Sequence, residues 1–387
     1  MKNFVFHNPT KILFGKYTIR SIGDETAAFG KTALLVYGQS SIKNNGIYDQ
    51  VTKSLQDAGV TIIELNGVQS NPVLSHVHQG ITLAQENNVD VIVAVGGGSV
   101  LDSAKAISAG ALVEHDVWKF FTGRKSLKAA LPLTCVLTLA ASGSEMNSSM
   151  VVTNEATKQK FGFANKHLYP KVSILDPTAT FSVSTEYTAY GAVDAIAHVL
   201  EYYFTNLEPY TPVQDHFMEG LVISSMDSCN RVLQNLEDYD ARADLMWAAT
   251  LALNGLTGAG LGKVGFPMHM IEHSLSALYN VAHGAGLSVV IPGWMAYQAQ
   301  RTPEKFAQFA ERVFGIMSGS IEKKAAEGRQ ALLSWFKKVQ APTSLTALHI
   351  PVQDIPMIAE NAVALAKVWG MKDYTQDKIE DILKLCA

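Results

Sequence analysis

Five residues in the second half of the chain have the types and spacing to share a metal ion. Asp194 and His198 stand four apart in the helical, otherwise apolar stretch YGAVDAIAHVLEYYF, which puts both side chains on one helical face, one turn apart. A carboxylate in such surroundings is costly unless partnered, so it requires either the neighbouring imidazole or a cation. His269 and His273 are again four apart, and His283 follows ten residues later, in HMIEHSLSALYNVAHG. Three of the 11 histidines therefore fall within 15 positions. A carboxylate with imidazoles suits a divalent transition metal, and Fe²⁺, Zn²⁺ and Ni²⁺ all accept such donors. Two helical pairs plus a loop histidine beyond a break near Asn280 can converge on one ion and leave a position open for substrate. The other histidines (His7, His76, His78, His115, His167, His216 and His349) have no partner at ligand spacing.

A second feature lies in the first half. The segment VDVIVAV-GGGSV-LDSAKAISAGAL reads as a buried strand, three glycines and a serine (Gly96–Ser99), then a helix. Glycines let the backbone approach a ligand closely, and the N–H groups opening the helix point at an anion. Pyrophosphate at the carboxyl end of a parallel strand is the expected occupant. A second turn of small residues, AASGSE at Ala140–Glu145, also follows an apolar strand and could close the other side of a dinucleotide. Neither turn is the G-x-G-x-x-G fingerprint. The end of the first strand, Val36 to Lys43, holds Gly38, Gln39, Ser40, Ser41 and a lysine but no carboxylate. NAD sites usually place an acid there for the ribose 2′-hydroxyl, so NADP(H) is favoured over NAD(H).

His269–His273 also spells H-x-x-E-H, the inverted zinc-protease motif with Glu272 as base. A zinc metallohydrolase is therefore the rival reading, but it gives Asp194, His198 and the glycine turn no task. A metal-assisted oxidoreductase uses all three, with the metal as Lewis acid and a cofactor carrying hydride.

The elements that must position these residues follow two grammars. Up to about residue 180, short β-branched runs (Lys31–Tyr37, Val60–Leu65, Val89–Val95, Pro132–Leu139, Val172–Leu175) alternate with helical patterns such as Asn71–Asn88 and Val100–Leu112. Such alternation predicts a doubly wound, mostly parallel, Rossmann-like sheet. Phe4–Phe14 reads as an added strand or hairpin bent at Pro9. After Asp176-Pro177 only helical periodicity remains, at Tyr187–Tyr203, Pro212–Leu236, Tyr239–Leu256, Pro267–Tyr279, Pro303–Met317, Ile321–Val339, Gln353–Val368 and Gln376–Leu385. The expectation is an α/β cofactor domain over 1–182 and an all-helical metal and substrate domain over 183–387, with the ligand in a cleft between them.

Taken together, these motifs resemble the iron-containing alcohol dehydrogenase family, in its butanol dehydrogenase or broad-range aldehyde reductase branch. PTKILFGK near the start carries the resemblance, with SNP at Ser70–Pro72, GGGSVLD at Gly96–Asp102 and LTLAASGSEMN at Leu137–Asn147. LDPT at Leu175–Thr178, AVDAIAHVLE at Ala192–Glu201, LMWAATLALNGL at Leu245–Leu256 and the histidine cluster extend it over nearly the whole chain. It implies a dehydroquinate synthase-like fold and an NAD(P)-dependent alcohol dehydrogenase that works as an aldehyde reductase on short substrates. It implies Asp194, His198, His269 and His283 as the ligands, with His273 lining the site for proton transfer or substrate contact. It implies cofactor contacts at Gly38, Ser40, Asn71, Gly97, Gly98, Ser99, Thr138, Ser142 and Lys160, and Gln39, Ser41, Asp102 and Leu139 in the same stretches join that set. Two departures matter: NAD-preferring members often have Asp at the position of Gly38, and many members have threonine where this chain has Ser142.

Composition sets the outer bounds. The 387 residues are 48% apolar and 17% charged, against about 25% charged in an average globular protein, which excludes disorder. A net charge of −4 argues against nucleic acid as partner. No run of about 18 apolar residues suggests a membrane span, and the N-terminus lacks a signal-type apolar region. Cys135, Cys229 and Cys386, odd in number and far apart, fit a reducing compartment, the cytoplasm. An N-terminal strand able to pair across a two-fold makes a homodimer the expected assembly.

Overall fold

The structure is a computed structural model and describes residues 1–208 and 210–387. By internal contacts the chain divides into two units. One comprises His7–Val183 and Leu236–Thr250, the other Met1–Phe6, Ser184–Asn235 and Leu251–Ala387.

The first unit holds a six-stranded sheet. Its strands are β1 (Lys11–Phe14), β2 (Thr32–Tyr37), β3 (Thr61–Leu65), β4 (Val91–Gly96) and β5 (Leu133–Leu137), then, after the hairpin β6 (Ser149–Asn154) and β7 (Gln159–Ala164), β8 (Val172–Leu175). The order is β1-β8-β5-β4-β2-β3, and every pairing is parallel. Strands β4 and β5 are buried along their whole length, as expected where helices cover both faces. On one face Leu35, Tyr37, Val93, Val95 and Val136 form a core with Ile47, Val51 and Leu55 of the helix Ile47–Asp57. From β2 the chain runs outward to β3, and from β4 the other way to β5 and β8, so the winding reverses between β2 and β4. Such a reversal opens a crevice at the carboxyl ends of the strands.

Two expectations are corrected here. Phe4–Phe14 is neither a hairpin nor a strand throughout: only Lys11–Phe14 is extended in the sheet, and it pairs parallel with β8. The antiparallel hairpin β6–β7 went unread, because SMVVTN and QKFGFA are short and their linker lacks the usual Asn-Gly or Asp-Gly signal.

The second unit is helical. Thr185–Thr205, Pro212–Val232, Pro267–Tyr279, Pro303–Phe314, Ile321–Lys338, Ile355–Val368 and Gln376–Lys384 follow the periodicity read from sequence, whereas the helix His283–Ala299 does not. The sequence gives no helical expectation for that segment, only His283 as a loop histidine. The segment is apolar on nearly every side and carries Gly284, Gly286, Pro292 and Gly293, so no amphipathic stripe reveals it. Among the described residues no helix is long and apolar enough to cross a membrane.

Candidate metal centre and nucleotide turns

Three helices of the second unit supply the metal-type side chains. Thr185–Thr205 is capped by Ser184, whose hydroxyl accepts the Tyr187 N–H at 3.2 Å, and carries Asp194 and His198. Pro267–Tyr279 opens on proline, suited to a first turn, carries His269 and His273, and ends at Asn280 in the left-handed region (φ 53°). Asparagine tolerates that conformation, and the chain then turns so that His283 begins the next helix rather than sitting in a loop.

Three imidazoles converge on one carboxylate oxygen. Asp194 Oδ1 lies 3.5 Å from His198 Nδ1, 3.6 Å from His269 Nε2 and 3.6 Å from His283 Nε2. The rings of His198 and His269 stack with centroids 4.5 Å apart. Asp194 Oδ1, His198 Nδ1 and His269 Nε2 are buried and have no hydrogen-bond partner among the described residues. Buried polar atoms are rarely left so, and a cation among them would answer all three at once. The donor set therefore fits a divalent metal. Burial works against the Asp194 charge, but His198, His283 and His269 outweigh it and hold the carboxyl well below the usual range. Burial, reinforced by His269 and His283 and opposed by Asp194, pushes His198 down to about 3. At neutral pH the centre thus offers an ionised carboxylate and a neutral imidazole.

His273 is buried beside this group, its ring centroid 5.5 Å from that of His283 and 5.5 Å from that of Trp369. Two buried carboxylates complete the centre: Glu201, to which the sequence assigned no role, and Glu272, expected only as the base of the hydrolase reading. Glu201 Oε1 accepts the main-chain N–H of His269 at 2.8 Å and lies 3.0 Å from His269 Nδ1. Glu272 is bonded through Oε2 to His283 Nδ1 and through Oε1 to the Ser276 hydroxyl. Glu201 was legible in principle: positions 194, 198 and 201 share one helical stripe. The hydrolase reading fails at Glu272, because a base acting on water cannot be a fully buried carboxylate with both oxygens engaged this way.

In the sheet unit, three turns follow three adjacent strands. Gly38–Ser41 leaves β2, Gly97–Ser99 leaves β4 and Thr138–Ser142 leaves β5, with β4 in the middle. Gly38 accepts the Gly67 N–H, and Gln39, Ser40 and Ser41 are exposed. The helix after β4 starts at Gly98, and a Cβ on Gly98 would overlap the Ser142 hydroxyl. The Ser99 hydroxyl donates to the Ser70 carbonyl. Thr138 N–H donates to Gly96 O at 3.0 Å, and a Cβ on Gly97 would stand 3.1 Å from that of Leu139. Asn71 Oδ1 accepts from Lys160 Nζ at 3.0 Å, both residues being buried.

Beneath the second turn sits a polar cluster the sequence reading missed apart from Asp102. Lys105 Nζ donates to Ser144 Oγ at 2.9 Å, Asn147 O at 2.9 Å, Asn147 Oδ1 at 3.1 Å and Ser149 O at 2.8 Å. Ser144 Oγ in turn donates to Asp102 Oδ1 at 2.7 Å, and Asp102 Oδ2 accepts the Val151 N–H. Glu145 accepts from the Thr250 hydroxyl at 2.5 Å. Burial pushes Lys105 down to about 8, against the opposing pull of Asp102. The signal was a lysine set among small and apolar residues in LDSAKAISAG.

Comparison with known proteins agrees with this geometry. Residues 9–177 match the iron-containing alcohol dehydrogenase model, and residues 188–387 match the C-terminal model of the same family. The probable NADH-dependent butanol dehydrogenase 1 of Bacillus subtilis is 40% identical over 386 residues, 99% of each chain. The NADPH-dependent aldehyde reductase YqhD of Escherichia coli is 36% identical over 361 residues, 92% of each. The crystal structure of NADH-dependent butanol dehydrogenase A from Thermotoga maritima superposes with a TM-score of 0.95 at 45% identity, covering 100% of this chain and 99% of that one. The chain belongs to the iron-containing alcohol dehydrogenase family, in its butanol dehydrogenase and aldehyde reductase branch.

Proposed function

We propose that the protein interconverts short, mostly aliphatic alcohols and aldehydes, acting chiefly as an aldehyde reductase, with one divalent metal and a nicotinamide cofactor. The observation that carries this reading is the convergence of His198, His269 and His283 on an Asp194 oxygen that has no hydrogen-bond partner among the described residues. The names of relatives, butanol dehydrogenase and aldehyde reductase, support the substrate class. Asp194, His198, His269 and His283 hold the metal, with Fe²⁺ or Zn²⁺ as the candidates and Ni²⁺ compatible with the same donors. When bound, the metal polarises the substrate oxygen, and the nicotinamide gives or takes the hydride. The position of His273 beside His283 supports a role in passing a proton to the substrate oxygen.

Cofactor binding is assigned to 1–182 and metal and substrate to 183–387, a boundary from which the two structural units depart at Met1–Phe6 and Leu236–Thr250. The cofactor contacts are Gly38, Gln39, Ser40, Ser41, Asn71, Gly97, Gly98, Ser99, Asp102, Thr138, Leu139, Ser142 and Lys160. The crevice at the carboxyl ends of β2, β4 and β5 supports this set.

NADP(H) is the favoured cofactor. Glu64 of β3, the acid on the neighbouring strand, is taken up by the hydroxyls of Tyr37 and Tyr48 at 2.6 and 2.7 Å. Lys43 Nζ lies over the Tyr48 ring, 4.6 Å from its centroid, and adds positive charge beside the turn.

The edge position of β1 and the exposed Phe4, Val5 and Phe6 support a homodimer. Light scattering on a sizing column tests it. Cys135, Cys229 and Cys386, all buried and none in a disulfide among the described residues, support the cytoplasm as the compartment.

The test of the activity is nicotinamide absorbance during butyraldehyde reduction, on protein stripped by chelator and reloaded with Fe²⁺ or Zn²⁺. Metal-dependent oxidation of NADPH or NADH is expected; absence of turnover with every metal overturns the reading.

A further inference from the structure

We propose that Glu201 and Glu272 are a matched pair of positioning residues, each turning one histidine so that Nε2 faces the metal. This rests on the reading of Asp194, His198, His269 and His283 as ligands. A neutral imidazole carries one N–H, and whatever accepts it decides which nitrogen keeps the lone pair. Glu201 Oε1 already accepts the main-chain N–H of His269, so at 3.0 Å from Nδ1 the same oxygen is an acceptor again, and Nδ1 carries the hydrogen. Glu272 does the same for His283 Nδ1 while its second oxygen is held by Ser276. The consequence is visible in the geometry: Nε2 of both histidines stands at the same 3.6 Å from Asp194 Oδ1.

The arrangement steps from helix to helix. The helix that carries Asp194 and His198 supplies Glu201 to hold His269. The helix that carries His269 supplies Glu272 to hold His283, the first residue of the third. Room is kept for it, since a Cβ on Gly286 would stand 2.6 Å from Glu272 Oε1 and 2.7 Å from Glu272 Cγ. Both glutamates are fully buried. Burying two carboxylates is expensive, and general stability is better served by apolar side chains of the same volume. What they add is orientation, and with it basicity at the opposite ring nitrogen.

The test uses Co²⁺ as probe, because its visible bands report ligand geometry as well as occupancy. Glu201→Met and Glu272→Met keep the volume and remove the acceptor; Glu201→Gln and Glu272→Gln keep an acceptor oxygen. Chelator competition is expected to show Co²⁺ binding about 10–100-fold weaker in each methionine variant, with shifted bands. The glutamine variants are expected to keep the wild-type bands. Methionine variants that are folded by circular dichroism and bind Co²⁺ like wild type overturn the proposal. The two positions are independent, so a folding failure at one leaves the other to decide. Failure of wild-type protein itself to bind Co²⁺ is a different result and refutes the metal reading instead.

Discussion

His283 Nε2 and Asp194 Oδ1 stand 3.6 Å apart although they come from different helices, one residue opening its helix and the other near the middle of its own. Removing either end should empty the centre. Asp194→Asn and His283→Ala are expected to lower metal affinity by at least ~100-fold, the upper end of what loss of a ligand's supporting partner costs. Aldehyde reduction should fall in parallel. Metal content by mass spectrometry, read beside turnover, checks this, and full activity in a metal-free variant contradicts it.

Gly38 has space for a side chain, since a Cβ there meets only the Val68 carbonyl, at 3.7 Å. Gly38→Asp should therefore fold normally while setting a negative charge at the end of β2. Repulsion of a 2′-phosphate predicts that the ratio of kcat/KM for NADPH to that for NADH falls by roughly tenfold or more, equivalent to about 1.4 kcal/mol. Steady-state kinetics with both cofactors decide it, and an unchanged ratio removes the basis for the proposed NADP(H) preference.

Gly98 and Ser142 occupy each other's space. Gly98→Ala drives a methyl into the Ser142 side chain, and overpacking of that kind costs about 1–3 kcal/mol. The cofactor KM should rise while metal content stays constant. Adding Ser142→Gly should relieve the overlap and recover part of the loss. If the double variant is no better than the single one, close approach of these turns is not what positions the cofactor.

Lys105 is a cation buried under the second turn, bonded to Ser144, Asn147 and Ser149. Lys105→Met leaves the part-buried Asp102 and the buried Glu145 without it, and breaking a buried charge arrangement from one side costs about 3–5 kcal/mol. Urea unfolding should shift to lower midpoints, and dinucleotide affinity should drop as the Ser142–Glu145 turn loosens. A midpoint within error of wild type would show that the turn stands without the lysine.

Much of the fold was legible because its signals are local. Continuous β-branched runs gave β2, β4 and β5 within about two residues at either end, and three-and-four spacing gave the helix Pro267–Tyr279 with both bounds. The helix His283–Ala299 and the bounds and pairing of strand β1 were not legible. The helix is apolar all round and interrupted by glycine and proline, and the strand owes its extended form to pairing with β8, about 160 residues later in the chain.

By itself the sequence determined which side chains lie one helical turn apart, because 3.6 residues per turn is a property of the chain alone. It therefore singled out Asp194 with His198 and His269 with His273. Only the tertiary structure decided which nitrogen each ring presents, that Glu201 and Glu272 stand behind two of the rings, and that Lys105 answers the carbonyls under the turn. Those facts depend on distances between elements far apart in sequence, set by how whole helices and strands pack, and no local spacing encodes them.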